Sequence, residues 1–416
     1  MPRRESAYGR APIALESRAM ATPADRLAHI QPFRVMQVLD RAAALERAGE
    51  RVVHFEVGEP DFTTAEPIVR AGETALEEGF TRYTPAAGLP ELREAIAGHY
   101  ATLGVTVTPE RILVTAGASG GLTLLAALLL NPGDELLVTD PGYPCNEVFV
   151  RVVGGVPVPL IVRAADRYQP TAASVAAAWG PTTRGVLLAS PANPTGTMLA
   201  REGLAEVAET VRARDGVVIL DEIYQGLVPQ PPYATGLAVA DDLIVLNSFS
   251  KFFGMTGWRL GWIVLPETLT DGAERLAQNL FICPSAPAQR AALAAFGDDA
   301  LAVHRERAGV FARRGALLSE GLTRLGFSIP VVPDGAFYLY VDVSHTGLAS
   351  DVFCHRLLEE FHVAATPGHD FGRQTPERFV RFAYTTSEDN LRLGLERIEQ
   401  ALTAWGVSPP AAAAGR

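Results

Sequence analysis

The feature that most constrains the fold is a rhythm of short, continuously apolar runs, each closed at once by glycine or a polar residue. Arg111-Ile-Leu-Val-Thr115 runs into Ala116-Gly-Ala-Ser119-Gly120-Gly121, and Glu135-Leu-Leu-Val-Thr139 into Asp140-Pro-Gly-Tyr143-Pro144. Gly185-Val-Leu-Leu-Ala189 ends in Ser190-Pro-Ala-Asn193-Pro-Thr-Gly196, Gly216-Val-Val-Ile-Leu220 in Asp221, and Leu243-Ile-Val-Leu246 in Asn247. Helical patterns lie between these runs. Strands this short and this uniformly apolar are buried on both faces, which predicts an α/β fold with a mainly parallel sheet covered by helices. Ligands of such sheets sit beyond the carboxyl ends of the strands, so the residues that close the runs are the first candidates for a site.

The remaining segments are read from periodicity. Residues 26–50 fit one helix, 51–57 a strand broken by Gly58-Glu-Pro-Asp-Phe62, and 67–78 and 90–103 further helices. A helix over 122–130 follows the glycine-rich turn. Beyond a long helical pattern at 301–325 come a strand near 335–341, a helix at 350–361, a strand at 379–384 and a final helix at 387–405. These predict a smaller α+β domain.

A length of 416 residues corresponds to roughly two to three domains. The net charge of −11, with no basic cluster, argues against nucleic-acid partners. Cys145, Cys283 and Cys354 are odd in number and far apart, which reads as free thiols in a reducing, cytoplasmic setting. The most apolar stretch, 122–130, is about half the length a bilayer needs. The N-terminus lacks the apolar core of a secretory signal; it reads as a flexible arm, with a targeting peptide as the alternative.

One stretch carries the chemistry: Asn247-Ser248-Phe-Ser250-Lys251-Phe-Phe-Gly-Met-Thr-Gly-Trp-Arg259-Leu-Gly261. A lysine just past a buried strand is desolvated, which lowers its pKa toward that of a nucleophilic amine suited to a Schiff base. Ser248, Ser250 and Arg259 beside it suit a phosphate. An amine next to a phosphate cradle suggests pyridoxal phosphate. Lysines after strands are ordinarily solvated surface charge, but Lys251 is the only lysine in the chain. The Ser248-to-Lys251 spacing also fits the S-x-x-K of serine β-lactamases, whose K-T-G element is impossible without a second lysine.

Other pieces stand at the remaining run ends. Ser119-Gly120-Gly121 at a helix start offers free N–H groups to an anion, or simply a cap. Asn193 presents its amide from a proline-fixed turn, which in isolation reads as structural. Asp221 either caps a helix or holds a cofactor's ring nitrogen protonated. Arg381, in Arg378-Phe-Val-Arg381-Phe-Ala-Tyr384, is either a surface alternation or a buried carboxylate clamp.

Taken in order, GEPDF at Gly58, YTPAAG at Tyr83, PANPTG at Pro191, DEIY at Asp221, SFSK with GWRLG at Ser248 to Gly261, DGAFYL at Asp334 and RFVRFAY at Arg378 resemble the class I/II pyridoxal-phosphate aminotransferases, the fold type shared with aspartate aminotransferase. The resemblance spans residues 26–405. It implies a seven-stranded type of sheet in a large domain (61–300), a small domain (301–405) packed with a segment at 25–60, an arm at 1–24 and a disordered tail at 406–416. It implies that Lys251 binds pyridoxal 5'-phosphate and moves the substrate proton, and that Asp221 pairs with the ring nitrogen. Asn193 and Tyr224 would meet the phenolic oxygen, and Tyr143 would stack on the ring. Ser119, Gly120, Ser248, Ser250 and Arg259 would hold the phosphate, joined by Tyr83 from a second subunit of a homodimer. Arg381, Asn193 and the backbone at Gly58 would bind the carboxylate of an amino acid or 2-oxo acid in a ping-pong transamination; a C–S or C–N β-lyase on the same fold is the alternative.

Phe252, Cys283-Pro-Ser285 and Ala118-Ser119 depart from the family's commoner pattern, and no second arginine for a dicarboxylate stands out. His355, His362 and His369 recur every seven residues, but Pro367-Gly368 interrupts them; no metal is expected.

Overall fold

A computed structural model describes residues 22–407; the proposed arm, up to residue 21, and the tail, from residue 408, lie outside the described residues. The described residues before Phe33 form a compact unit of their own, with a 3-10 turn at Asp25–His29. Everything below concerns the unit that begins at Phe33.

Its strands are β1 (Val53–His54), β2 (Ile112–Thr115), β3 (Glu135–Asp140), β4 (Val156–Ile161), β5 (Thr183–Ala189), β6 (Val217–Asp221), β7 (Ile244–Ser248), β8 (Gly261–Val264), β9 (Tyr338–Asp342), β10 (Val363–Ala364), β11 (Thr366–Pro367) and β12 (Phe379–Ala383). Seven form the main sheet in the order β2-β8-β7-β6-β5-β3-β4. It is parallel except at β8, which runs antiparallel to both neighbours. Alternation along the strands feeds two cores. Leu137, Val186, Leu188, Leu220 and Val245 point into one, and Leu136, Val138, Leu187, Ile219, Ile244 and Leu246 into the other. Burying each such side chain contributes roughly 1.5–3 kcal/mol, so the sheet is anchored from both sides, as the apolar runs predict.

Four sequence expectations are corrected. The helix read over 26–50 is instead the 3-10 turn and a separate helix α1 (Arg34–Arg47), because Pro32 removes an N–H and keeps Gln31 out of the helical region. The strand read over 51–57 shortens to β1, whose only parallel neighbour is the equally short β10. The helix read from 122 begins five residues earlier, as the helix Gly117–Leu129; its glycines serve close packing, and a Cβ on Gly121 would meet Leu246 Cδ1 at 2.6 Å. Strands β4 and β8 were not read at all. Pro157 and Pro159 disguise β4, yet it is an edge strand paired only with β3, and prolines two apart leave their missing N–H groups on the same side.

The C-terminal elements make a second centre. The antiparallel sheet β11-β12-β9 packs with Phe311, Phe353, Leu391 and Ile398, and Val53 and Phe55 join the same core. Phe55 N–H donates to Ala364 O (2.9 Å), and Phe55 O accepts from Ala383 N–H (2.7 Å). The chain around residues 53–58 is thereby stitched to β10 and β12, which carries Glu56 and Gly58 to the carboxyl edge of the main sheet.

Candidate active site

The carboxyl ends of β5, β6 and β7 open on a cavity of about 300 Å³. Lys251 enters it three residues past β7, and its Nζ donates to Gly58 O at 2.7 Å. Desolvation lowers its pKa to about 8, with Arg381 and Arg259 adding to the effect and Glu59 and Asp221 opposing it. Asp221, the last residue of β6, is buried, and its Oδ1 accepts from Ile223 N–H at 3.0 Å. It caps no α-helix. Burial pushes its carboxyl up to about 6, the condition of a carboxylate that a cationic N–H would stabilise.

Facing these, the first turn of the helix Gly117–Leu129 carries Ser119 to the cavity wall, with Ser250, Thr256 and Arg259 alongside. Arg259 is held in the left-handed region (φ 56°), and its Nη1 donates to Thr256 O at 3.0 Å. Gly117 (φ +71°) makes room for this guanidinium, since a Cβ there would stand 2.7 Å from Arg259 Nη2. A helix N-terminus, three hydroxyls and a guanidinium form an anion cradle. Gly117→Ala is expected to weaken anion binding in this cradle by about 10- to 100-fold, because it strains the backbone and displaces one charged donor; titration of the protein with a phosphate ester checks it.

Arg381 resolves to the buried alternative. It lies on β12, the central strand of its sheet, at 3% exposure. Its Nη1 donates to Asn193 Oδ1 (3.0 Å) and its Nη2 to Glu56 O (2.5 Å), while Tyr338 and Phe371 cover it at 4.4 and 4.8 Å from their ring centres. Its Nε is buried with no partner in the protein, as a site awaiting a carboxylate would be. The bond to Arg381 turns Asn193 so that its amide N–H groups remain to donate. Tyr224 Oη lies 3.0 Å from Tyr338 Oη, and desolvation raises the pKa of both.

Behind Arg381, the side chain of Glu56 is fully buried and meets His54 Nδ1 at 2.7 Å; Glu46 meets His54 Nε2 at 3.1 Å. The bond to Glu56 raises the His54 pKa to about 9. A base raised in the folded state contributes stability fully below its unfolded pKa, about 6.5, and loses it as pH climbs through about 9. Thermal melts from pH 6 to 10 are therefore expected to show a decline that is shallower in His54→Gln.

Of the residues singled out by sequence, Gly58, Ser119, Tyr143, Asn193, Asp221, Tyr224, Ser250, Lys251, Arg259 and Arg381 line the one cavity. Ser248 lies behind Ser250, its Oγ 3.0 Å from Ser250 Oγ, and Gly120 is not part of the wall. Tyr83 is 85% exposed and away from this chain's cavity. Sequence reasoning missed Tyr338 and Glu59, although both sit inside quoted motifs; for the side-chain pocket it points to the neighbourhood of Gly58 and Tyr143 and to the N-terminal segment without naming residues, and from that segment Phe33, Val35, Met36 and Leu39 line the cavity. Among the described residues no group of three or more His, Cys, Asp or Glu is placed to hold a metal, and no helix is long and apolar enough to cross a membrane. Cys145, Cys283 and Cys354 are free.

A doubly covered α/β sheet with an amine, a buried carboxylate, an anion cradle and a buried arginine around one strand-end cavity defines an enzyme of amino-group chemistry. The family described as aminotransferase class I and II matches residues 50–398, and the chain belongs to it. Over 374 residues it is 38% identical to a valine–pyruvate aminotransferase of Mycobacterium tuberculosis, covering 89% of this chain and 96% of that one. It is 35% identical to an aspartate/prephenate aminotransferase of Thermus thermophilus over 381 residues, 91% of this chain and 98% of that one. A solved structure of aspartate aminotransferase from Thermus thermophilus with maleate superposes with a TM-score of 0.87 at 35% identity, over 92% of this chain and all (100%) of that one. The protein is accordingly an aminotransferase.

Proposed function

We propose that the enzyme works with pyridoxal 5'-phosphate in this cavity, passing the amino group of an L-amino acid to a 2-oxo acid in ping-pong order. The observation that carries the reading is the placement of Lys251 Nζ, with a pKa lowered to about 8, in the same cavity as buried Asp221 and buried Arg381. When bound, the cofactor supplies an electron sink for negative charge at the substrate's α-carbon. Lys251 supplies the amine its aldehyde requires for attachment, and as a free base moves the α-proton. Asp221 would hold the ring nitrogen protonated with its carboxylate. Asn193 and Tyr224 would donate to the phenolic oxygen, and Tyr143 would pack on the ring. Ser119, Ser250 and Arg259 would hold the phosphate, with Ser248 orienting Ser250; Gly120, off the wall, has no part in it. Arg381, assisted by Asn193 and the Gly58 backbone, holds the substrate carboxylate.

The exposure of Tyr83 fits a residue that completes the cradle of a second copy, so the active unit is a homodimer; free thiols fit a cytoplasmic setting. The proposed division keeps 61–300 as the cofactor domain and joins 25–60 to 301–405. The test is the visible spectrum of the purified holoenzyme with a panel of amino acids. A yellow band bleached by a donor and restored by a 2-oxo acid is the expected result. Bleaching with release of ammonia would instead indicate a β-lyase, and failure to take up pyridoxal phosphate would overturn the cofactor assignment.

A further inference from the structure

The buried guanidinium of Arg381 rests on a short stretch of backbone. Beyond β1, three successive carbonyls each accept from a side chain: Glu56 O from Arg381 Nη2 (2.5 Å) and Thr366 Oγ1 (3.2 Å), Val57 O from Thr385 Oγ1 (2.8 Å), and Gly58 O from Lys251 Nζ (2.7 Å). The first of these carbonyls holds one nitrogen of the guanidinium fork, so its place sets the direction in which Arg381 points. Gly58 has no side chain and Val57 lines the cavity. The side chain of Glu56 is left to fix the stretch from behind.

That side chain is tied to a second element. Residues two apart in an extended chain share a face, and on that face Glu56 Oε1 meets His54 Nδ1 at 2.7 Å, while His54 Nε2 meets Glu46 Oε1 of α1 at 3.1 Å. His54 is an imidazolium at neutral pH, because the bond to Glu56 raises its pKa to about 9. Both contacts are therefore charge-assisted. The link from Glu56 through His54 to Glu46 joins the stretch to α1, which is itself packed through Ala42 and Leu45 on Val52, Leu358 and Ala364.

Stability does not account for this arrangement. A fully buried carboxylate is costly to desolvate, and a buried ion pair commonly contributes no more than an apolar pair of similar volume. Glu56 Oε2 is moreover buried with no partner in the protein, which adds to the cost. Glu56 is not part of the cavity wall either. What the pair does supply is a fixed position for the residue whose carbonyl aims Arg381. We propose that Glu56, pinned by His54, is a positioning residue for the substrate carboxylate and acts through the Arg381 guanidinium. The inference rests on the reading of Arg381 as the carboxylate clamp.

A double-mutant cycle tests it, by steady-state kinetics with the donor that bleaches the visible band and with melting temperatures measured alongside. Glu56→Ala is expected to raise KM for that donor about tenfold and to leave kcat within about twofold, since a misaimed clamp weakens binding without touching the base. His54→Ala, at a partly exposed position, is expected to raise KM about threefold, and it carries the test should Glu56→Ala not fold. In an Arg381→Leu background each change is expected to alter kcat/KM by less than about twofold, because groups that act through one another do not add. Unchanged KM in both single variants would overturn the inference. So would a loss that persists at full size in the Arg381→Leu background, which would leave Glu56 a purely structural residue. Failure of the clamp reading looks different: Arg381→Leu itself would keep the wild-type KM.

Discussion

Lys251→Ala is expected to lower kcat by at least about 10⁴-fold and to abolish the visible band, while the protein still folds. Removing a positioned base alone costs about 10²–10⁴ in rate, and under the proposed function the same side chain is also the attachment point for the cofactor. No other amine can substitute, because Lys251 is the only lysine in the chain. Folding should not suffer. Desolvation lowers the Lys251 pKa from 10.5 to about 8, so between those values the unfolded chain binds more protons than the folded one. Apoprotein stability therefore carries a contribution that rises with pH across that window. Lys251→Ala should lack this rise and be no less stable at pH 7, which thermal melts of the two apoproteins would show. A variant that kept the band, or lost activity only by unfolding, would remove Lys251 from the chemistry.

The parts legible in sequence are those where local pattern and tertiary role coincide. β2, β3, β5, β6 and β7 are buried on both faces along their central residues, so each carries a continuous apolar run that ends sharply in polar residues. Asp221, Lys251 and Asn193 could be placed because they follow such ends directly. β4 was hidden because its edge position tolerates Pro157 and Pro159, a licence that depends on which strand has a neighbour. Helix 117–129 began earlier than read because Gly121 answers to Leu246 and Ile263 across the interface, not to local helix preference. Arg381 could be read two ways, since alternation with apolar neighbours marks a surface strand only when one face is wet, and every residue of β12 is buried. The cavity wall from Phe33 to Leu39 was legible only as a segment and not residue by residue, for a plainer reason: its approach to Tyr143 joins segments more than a hundred residues apart, and no periodicity encodes that contact.

Arg381 should be the second position with a large effect, and its effect should fall on binding. The guanidinium is pre-oriented by Asn193 Oδ1, Glu56 O and the rings of Tyr338 and Phe371, so little freedom is lost when a carboxylate arrives. Removing one partner of such a buried charge pair costs about 3–5 kcal/mol. At about 1.4 kcal/mol per decade, that lowers kcat/KM by about 100- to 4,000-fold. Arg381→Leu should show the full loss, mainly through KM. Arg381→Lys should recover little of it, because an ammonium cannot present the fork or keep the contacts to Asn193 and Glu56 at once. Arg381→Leu also takes the donor from Asn193 Oδ1, while Glu56 O keeps Thr366 Oγ1 (3.2 Å), a cost of about 1–3 kcal/mol in stability. Rate and melting temperature must therefore be measured together. The visible band should persist in both variants, since the proposed function gives Arg381 the substrate carboxylate and not the attachment at Lys251. Unchanged KM for every donor in a folded, yellow Arg381→Leu protein would mean that the carboxylate binds elsewhere; a raised KM in the same protein would make the buried guanidinium its anchor.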